Sequence, residues 1–511
     1  MAYAKLAGLP PEYGLYAGIV APLAYLFFGT IKQLSIGPSS SEAILLASVL
    51  GGLVISDPAR YAALAALTAI MVGIIAIIAR IFRLGFIANL ISGTVMKGFL
   101  AGVGLVIIVG QIPKLLRIEG VQGSFFDKLA NIIVNLPATH FLTLLIAIAG
   151  IALLFLIEKK FPRWPATLVV VVIFIVIMSI TNLAARGVHI VGPIPQGLPQ
   201  IKIPDIQAAD IQTVLPLAAA MFLLSYVETA AIGKNVSKEK KYPVDPDQEL
   251  VALGASSLAT GMTQGFPIAG SFSRTALNIR NKAMTPMAGG IAALITAVVA
   301  LYFTGLFTNL PEAIIGVLIV VAVNKMIDIK GLRRIGVISK LELAIALLSL
   351  FGVLTVGVLF GIMVGIILSL LHLGYKLTYP YIAELGRLPG TDNFGDIKRN
   401  KDAERTPSVL ILRVDSPVIF ANAETVKKAI LTRTLEARSL RVVILDMGSS
   451  PIIDITAADM IGDLKKELED RSIDLRIVHA KGSVREMLRN AGYDVASEKS
   501  GASAILEEYK E

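Results

Sequence analysis

A segment that breaks helices and carries an arginine sits in the middle of a chain otherwise suited to lipid: Gly265-Phe-Pro-Ile-Ala-Gly-Ser-Phe-Ser-Arg-Thr-Ala276. Non-helical backbone is tolerated at membrane depth only where protein or a wet cavity covers it. An arginine there costs roughly 3 kcal/mol or more unless something anionic or hydrated compensates. A second break lies near the N-terminus, Ser35-Ile-Gly-Pro-Ser-Ser-Ser-Glu-Ala43. Aligned on glycine, the two breaks share Gly37/Gly270, Ser40/Ser273 and Ala43/Ala276. Interrupted apolar segments at corresponding places in two halves point to the binding site of an inverted-repeat transporter. The cation and the hydroxyls point to an anion.

Composition sets the frame. Of 511 residues 55% are hydrophobic and 17% charged, with the charge crowded into the last third, the pattern of a membrane protein with a soluble appendage. The net charge of +9 does not signal nucleic acid, because most basic residues before about 375 fall in short loops, where they orient the protein. The absence of cysteine excludes disulfides, thiolate metal sites and cysteine nucleophiles. His140, His189, His372 and His479 have no ligand spacing, so no metal or other cofactor is expected. No nucleophile, base and orienting group occur together, which argues against an enzyme.

Apolar runs able to cross about 30 Å of hydrocarbon are read near 14–28, 38–55, 61–82, 85–111, 141–158, 164–183, 211–233, 284–307, 311–327 and 341–374. The last is long enough for two crossings. Shorter segments at 248–264 and 270–281 flank the second break, and 1–9 supplies a partial first segment, giving about fourteen. Basic residues follow the even-numbered segments: Arg80 and Arg83, Lys159, Lys160 and Arg163, Lys234 to Lys241, Arg280 and Lys282, Lys325 to Arg334, then Lys376. The positive-inside rule makes those ends cytoplasmic and predicts a multi-pass protein of the cell's inner membrane with its C-terminal domain inside. Pro10-Pro11 stops the first apolar stretch after about half a span; the expected start of the protein lies further upstream, with a partial first helix as the alternative.

Beyond Lys376 the pattern changes. Residues 376–405 read as a linker, with Gly386 to Gly390 and Asn393 to Gly395 as its turns. Strands at 409–413, 440–445 and 475–478 alternate with amphipathic helices near 423–438, 456–470 and 483–492, predicting an α/β domain over 406–511.

Met1-Ala-Tyr-Ala, Gly8-Leu-Pro-Pro and Gly14-Leu-Tyr16 resemble the first-span signature of the sulfate permease family, also called solute carrier family 26. Asp247-Gln-Glu-Leu250 with Gly254 resembles its loop before the second break, Gly270 to Thr275 that break, and Arg413 to Asn422 the opening of its appended domain. The resemblance spans the whole chain. It implies fourteen segments as two inverted repeats of seven, sorted into core and gate domains, a cytoplasmic STAS domain, and commonly a homodimer. It also implies secondary transport of a small anion such as sulfate, bicarbonate or a dicarboxylate.

Half-helices beginning at Ser39, Ser40 and Ser41 and at Ser271, Phe272 and Ser273 would aim free N–H groups and about half a positive charge each at one point. Arg274 adds a formal charge, and the resemblance places Ser273, Arg274 and the aromatic Tyr3 at the anion site. Capping and packing explain Ser41 and Ser271 equally well. Glu228, the one carboxylate well inside the eighth apolar run, is a functional candidate by position and would carry the coupled proton, or sodium. A fixed salt bridge to Arg274 is the structural alternative. Glu42 is the second carboxylate, expected at the wet edge of the first break. Lys5 stands where the family usually has an apolar residue. In the appended domain Ile455 follows Asp454, which excludes the serine switch of anti-sigma-factor antagonists there; Thr456 is a weak substitute, and a cytoplasmic partner is unnamed. The expected function is ion-coupled anion symport. An uncoupled exchanger or channel-like pathway and a membrane-tethered anion sensor are the alternatives, and the appended domain argues against a nucleobase transporter of similar fold.

Overall fold

The computed structural model describes residues 1–53, 57–89, 92–120, 123–161, 164–324, 327–436, 439–493 and 502–509, in two compact units, Met1–Ser369 and Leu370–Glu511. Arg163, Lys325, the span positions 54–55, 90–91 and 325–326, and residues 437–438 of the expected helix lie outside the described residues.

The first unit is helical. Its helices are α1 (Ala2–Leu6), α2 (Pro11–Phe28), α3 (Ser40–Leu53), α4 (Pro58–Ile81), α5 (Gly93–Leu116), α6 (Phe125–Asn135), α7 (Phe141–Lys160) and α8 (Ala166–Thr181). They continue with α9 (Ala208–Lys240), α10 (Pro246–Met262), α11 (Phe272–Arg280), α12 (Met287–Val298), α13 (Glu312–Asn324), α14 (Ile329–Ile338), α15 (Lys340–Thr355) and α16 (Val358–Thr378), the last of which runs on past Ser369 into the second unit. The fourteen expected segments correspond to all of these except α6 and α14, short amphipathic helices with no apolar run long enough to register as spans. Local chemistry sets the boundaries. Asp57 caps α4 by accepting from the N–H groups of Ala59 and Arg60, Asp245 caps α10 in the same way, and Pro58 and Pro246 occupy the first positions, where the missing N–H costs nothing. Gly8, at φ 79°, takes the left-handed turn that ends the first segment. Five helices are long and apolar enough to cross a membrane by length and composition alone, among them α4, α5, α7 and α9. By contrast α3, with 14 residues, and α11, with 9, span about 21 and 14 Å. They are half-spans, as the two breaks require.

The helices pack in two groups. One holds α1–α4 and α9–α12, the other α5–α8 and α13–α16, and among the substantial helix pairings only α3 against α5 joins them. Within each group backbones touch. A Cβ on Gly73 of α4 would lie 2.8 Å from the Gly254 carbonyl oxygen of α10, and one on Gly98 of α5 would collide with that of Ala346 in α15. Such small-residue contacts hold helices together where lipid offers no hydrophobic drive.

Strands β1 (Ile36–Gly37) and β2 (Ala269–Gly270) join the two breaks as an antiparallel pair, Ile36 opposite Gly270 and Gly37 opposite Ala269. With Gly37 and Gly270 as counterparts, exchanging each residue for its counterpart in the other half turns one pair into the other. That register is the one a two-fold inverted repeat produces.

The second unit holds a five-stranded sheet in the order β4-β3-β5-β6-β7. Its expected strands form as β5 (Val409–Val414), β6 (Val442–Asp446) and β7 (Asp474–Val478), mutually parallel, with helices α17 (Ala423–Glu436), α18 (Ile455–Glu469), α19 (Gly482–Asn490) and α20 (Ala502–Glu508). The linker expected over 376–405 is corrected. Residues 382–387 and 394–396 are β3 (Ile382–Arg387) and β4 (Phe394–Asp396), a hairpin whose first strand pairs antiparallel with β5. Gly386, Gly390 and Gly395 hid this hairpin, because they read as turn residues while Ile382, Ala383 and Leu385 are buried in the sheet.

Candidate functional site

The breaks are stitched to each other. Ser271 N–H donates to the Ser35 carbonyl at 3.0 Å, Ser35 N–H to Thr275 Oγ1 at 3.1 Å, and Asn278 Nδ2 to the Gln33 carbonyl at 3.0 Å. Helix α11 starts at its cap Ser271, whose hydroxyl accepts from Arg274 N–H at 3.4 Å. Arg274, in the first turn, reaches back to the entrance of α3: Nη1 donates to the Pro38 carbonyl at 2.9 Å and Nε to Ser35 Oγ at 3.2 Å. Its Nη2 is buried with no hydrogen-bond partner among the described residues. A Cβ placed on Gly37 would sit 3.5 Å from it, so glycine there keeps the guanidinium's face open. A buried guanidinium N–H left unsatisfied costs on the order of 1 to 3 kcal/mol, and an anion held between the two helix N-termini would remove that cost.

Glu228 does not pair with Arg274. Ser41 Oγ lies 2.9 Å from Glu228 Oε1 and 3.0 Å from Glu42 Oε2, while Ser39 Oγ donates to Glu42 Oε2 and Ser225 Oγ to Glu42 Oε1 at 3.1 Å. Ser41 is therefore a bridge between two carboxyl groups rather than a helix cap. The expectation of a wet edge for Glu42 is also corrected, since it is fully buried, with Glu228 at 5% exposure. The tight start of α3 folds Ser39 back over Glu42 and closes that edge.

Sequence reading missed Ser225 and Thr229. With Glu228 they form an i, i+3, i+4 face on α9: Ser225 meets Glu42, Glu228 meets Ser41, and Thr229 Oγ1 accepts from Gly270 N–H at 3.2 Å. The signal was three polar positions on one face of an otherwise apolar helix. Of the remaining expected residues, Ser40 opens α3, Tyr3 is half-buried on α1 within Coulombic reach of Arg274, and Ser273 and Phe272 are exposed on α11, Phe272 by 44%. Lys5 is half-buried and forms an ion pair with Glu312 at 2.6 Å. Every element of the site, α1, α3, α9, α11 and the two strands, belongs to one helix group.

The site occupies a chain whose relatives are carriers. The sulfate permease profile matches residues 1–349 and the STAS domain profile residues 400–498. A probable sulfate transporter of Mycobacterium tuberculosis is 34% identical over 96% of this chain and 88% of its own length. The chloroplastic sulfate transporter 4.1 of Arabidopsis thaliana is 30% identical over 96% of this chain and 74% of its own. Murine solute carrier 26 family member A9, an anion transporter solved in the inward-facing state, superposes with a TM-score of 0.89 at 22% identity, covering 100% of this chain and 88% of that one. That match carries the whole architecture, core and gate groups with an appended STAS domain. The chain belongs to the sulfate permease family: it is a membrane transporter with a C-terminal STAS domain, not an enzyme.

Proposed function

We propose that this protein is a proton-coupled symporter of sulfate or a related small anion, working by alternating access in a cell's inner membrane with its STAS domain in the cytoplasm. The observation that carries the reading is the meeting of opposite chemistries at the paired breaks. On the α11 side, the unpartnered Nη2 of Arg274 and the hydroxyl of Ser273 are available to an anion. On the α3 side, Ser41 stands between Glu42 and Glu228. One hydroxyl carries one proton, so it can donate to only one of the two carboxylates at a time. A proton held on the pair lets the second carboxyl group donate to Ser41 and removes the repulsion between two buried negative charges. Anion and proton then enter together, because each lowers the cost of burying the other.

The positive-inside pattern supports the orientation. The confinement of the site to one helix group, joined to the other chiefly through α3 and α5, supports a motion in which the core carries the anion past the gate. The test is uptake of labelled sulfate, bicarbonate, fumarate or chloride into proteoliposomes with and without a pH gradient. Accumulation driven by an inward proton gradient is the expected result. Equal uptake without any gradient would replace symport with exchange, and no anion flux at all would refute transport.

A further inference from the structure

Two large cavities lie away from the paired breaks, at the C-terminal end of α5. One, of about 800 Å³, is lined by Lys114, Arg117, Glu119, Lys128, His189 and Glu312 among others. The other, of about 790 Å³, runs along the seam between the helix groups, with Lys5, Ile44 and Ser48 of α1 and α3 on one wall and Gln111 and Lys114 of α5 on the other. Gly110, Lys114 and Lys128 line both, so the cavities adjoin.

The first cavity carries carboxylates as well as cations, Glu119 and Glu312, whereas the seam cavity is one-sided. Lys5 is held by Glu312, and Arg117 Nε donates to His189 Nε2 at 3.3 Å. Lys114 and Lys128 have neither a hydrogen bond nor an ion pair to any described side chain, although both are half-buried. The seam cavity holds three lysines against one carboxylate, Asp57, which already caps α4. Gln111, on the same wall as Lys114 and 2% exposed, has an Oε1 with no partner among the described residues. Glu312 acts on Lys114 through space but is already engaged by Lys5. Partly desolvated ammonium groups short of counter-charge are expensive, and ionisable groups placed this way mark ion pathways.

We propose that Lys114 and Lys128 form a second anion site that holds a hydrated divalent oxyanion of sulfate's size at the mouth of the seam between the helix groups. The anion supplies the direct ionic contact these lysines lack and competes with Glu312 for Lys5, loosening an ion pair that ties α1 to α13 across the two groups. The site is separate from Arg274 and does not depend on how Glu42 and Glu228 handle protons. A cation-lined mouth raises the local anion concentration and the capture rate.

Reductive methylation of the full chain, quantified lysine by lysine by mass spectrometry, reads the site directly. Sulfate is expected to slow modification of Lys114 and Lys128 several-fold relative to gluconate at equal ionic strength, in the wild type and in Arg274→Ala alike. Unchanged rates at both lysines would overturn the proposal, as would protection that disappears in Arg274→Ala, since it would then report events at the central site. In sulfate uptake, Lys114→Gln should raise KM about tenfold with kcat retained, and Lys114→Arg should restore KM. The difference should shrink near 1 M salt, where the screening length falls to about 3 Å. An unchanged KM in well-folded Lys114→Gln protein would also refute the site. Protection without uptake would remove the carrier reading and leave this site standing.

Discussion

The two breaks share a backbone plan and differ in chemistry. Each runs from a glycine-containing two-residue strand into a short helix with serines in its first turn, and the strands pair in the register that a two-fold axis demands. The side chains then diverge. Aligned on Gly37 and Gly270, Ser41 and Arg274 are counterparts, and so are Glu42 and Thr275. The first break turns Ser39, Ser41 and Glu42 inward to a second buried carboxylate on α9, whereas the second leaves Ser273 and Phe272 exposed and aims a guanidinium at the entrance to α3. The repeat supplies two positive helix ends, which by themselves discriminate only charge. A handful of substitutions then makes one end acidic and the other cationic, so that a symmetric scaffold can hold two unlike ions.

Making one of the two paired carboxyl groups permanently neutral tests this division most severely. Glu228→Gln mimics a protonated carboxyl group and should keep anion binding and exchange, but lose accumulation driven by a proton gradient altogether. A group that cannot release its proton cannot cycle it between the two faces. Measuring labelled-anion uptake against a pH gradient, and counterflow without one, separates the two outcomes. If gradient-driven accumulation persists at the wild-type level, Glu228 is not the proton carrier. Glu42→Gln is the next variant to measure, since Glu42 shares Ser41 with it.

The cationic break gives the next largest effect. Arg274→Ala removes a charge-assisted contact of about 1.5 to 3 kcal/mol and should lower anion affinity at least about tenfold, with Arg274→Lys recovering only part because the ammonium lacks the fork that spans Pro38, Ser35 and the open Nη2 direction. Equilibrium binding to monodisperse protein checks it. Wild-type affinity in Arg274→Ala would reduce the arginine to a staple between the breaks.

Much of this was legible in the chain and some was not, for identifiable reasons. Apolar run length fixed the spans, and paired interruption fixed the breaks, because both are local. The Glu42–Ser41–Glu228 bridge was hidden because it joins positions 187 residues apart, and nothing in the first break says which face of α3 turns inward. Ser225 and Thr229 could have been found from their helical spacing to Glu228. Lys5, flagged as out of place, gained meaning only through Glu312, on a helix of the other group. The β3–β4 hairpin was missed because glycine in a short strand looks like a turn until its partner strand is known.

The bridge itself supports a smaller prediction. Ser41→Ala keeps both carboxyl groups but removes the hydroxyl between them, a loss of about 1 kcal/mol, so coupling efficiency should fall roughly fivefold while anion affinity stays near the wild type. Ser273→Ala should do the reverse, weakening the anion with coupling intact. Proton-to-anion stoichiometry and binding measured on both variants would sharpen the comparison. Identical effects from the two would show that the breaks do not divide the labour.

The smallest effect expected on the paired breaks comes from removing the second unit. Both breaks lie in the first unit, which has its own hydrophobic core, while the sheet domain buries separate clusters centred on Leu412, Val443 and Ile444. A chain ending at Thr378, where α16 closes, should therefore keep anion binding within about twofold, a change of roughly 0.4 kcal/mol by affinity arithmetic. The position of the cut matters more than the domain's absence. Ending at Thr406 instead would leave β3 and β4 without β5, presenting the unpaired edge of β3 and uncovering Ala383 and Leu385, which pack in the cluster with Val409 and Ile411. An exposed apolar edge strand invites association. Size-exclusion profiles and sulfate binding of the two truncations should differ accordingly, with a monodisperse, binding-competent protein for the cut at Thr378 and aggregation for the cut at Thr406. Loss of binding in a monodisperse protein cut at Thr378 would show that the paired breaks depend on the second unit.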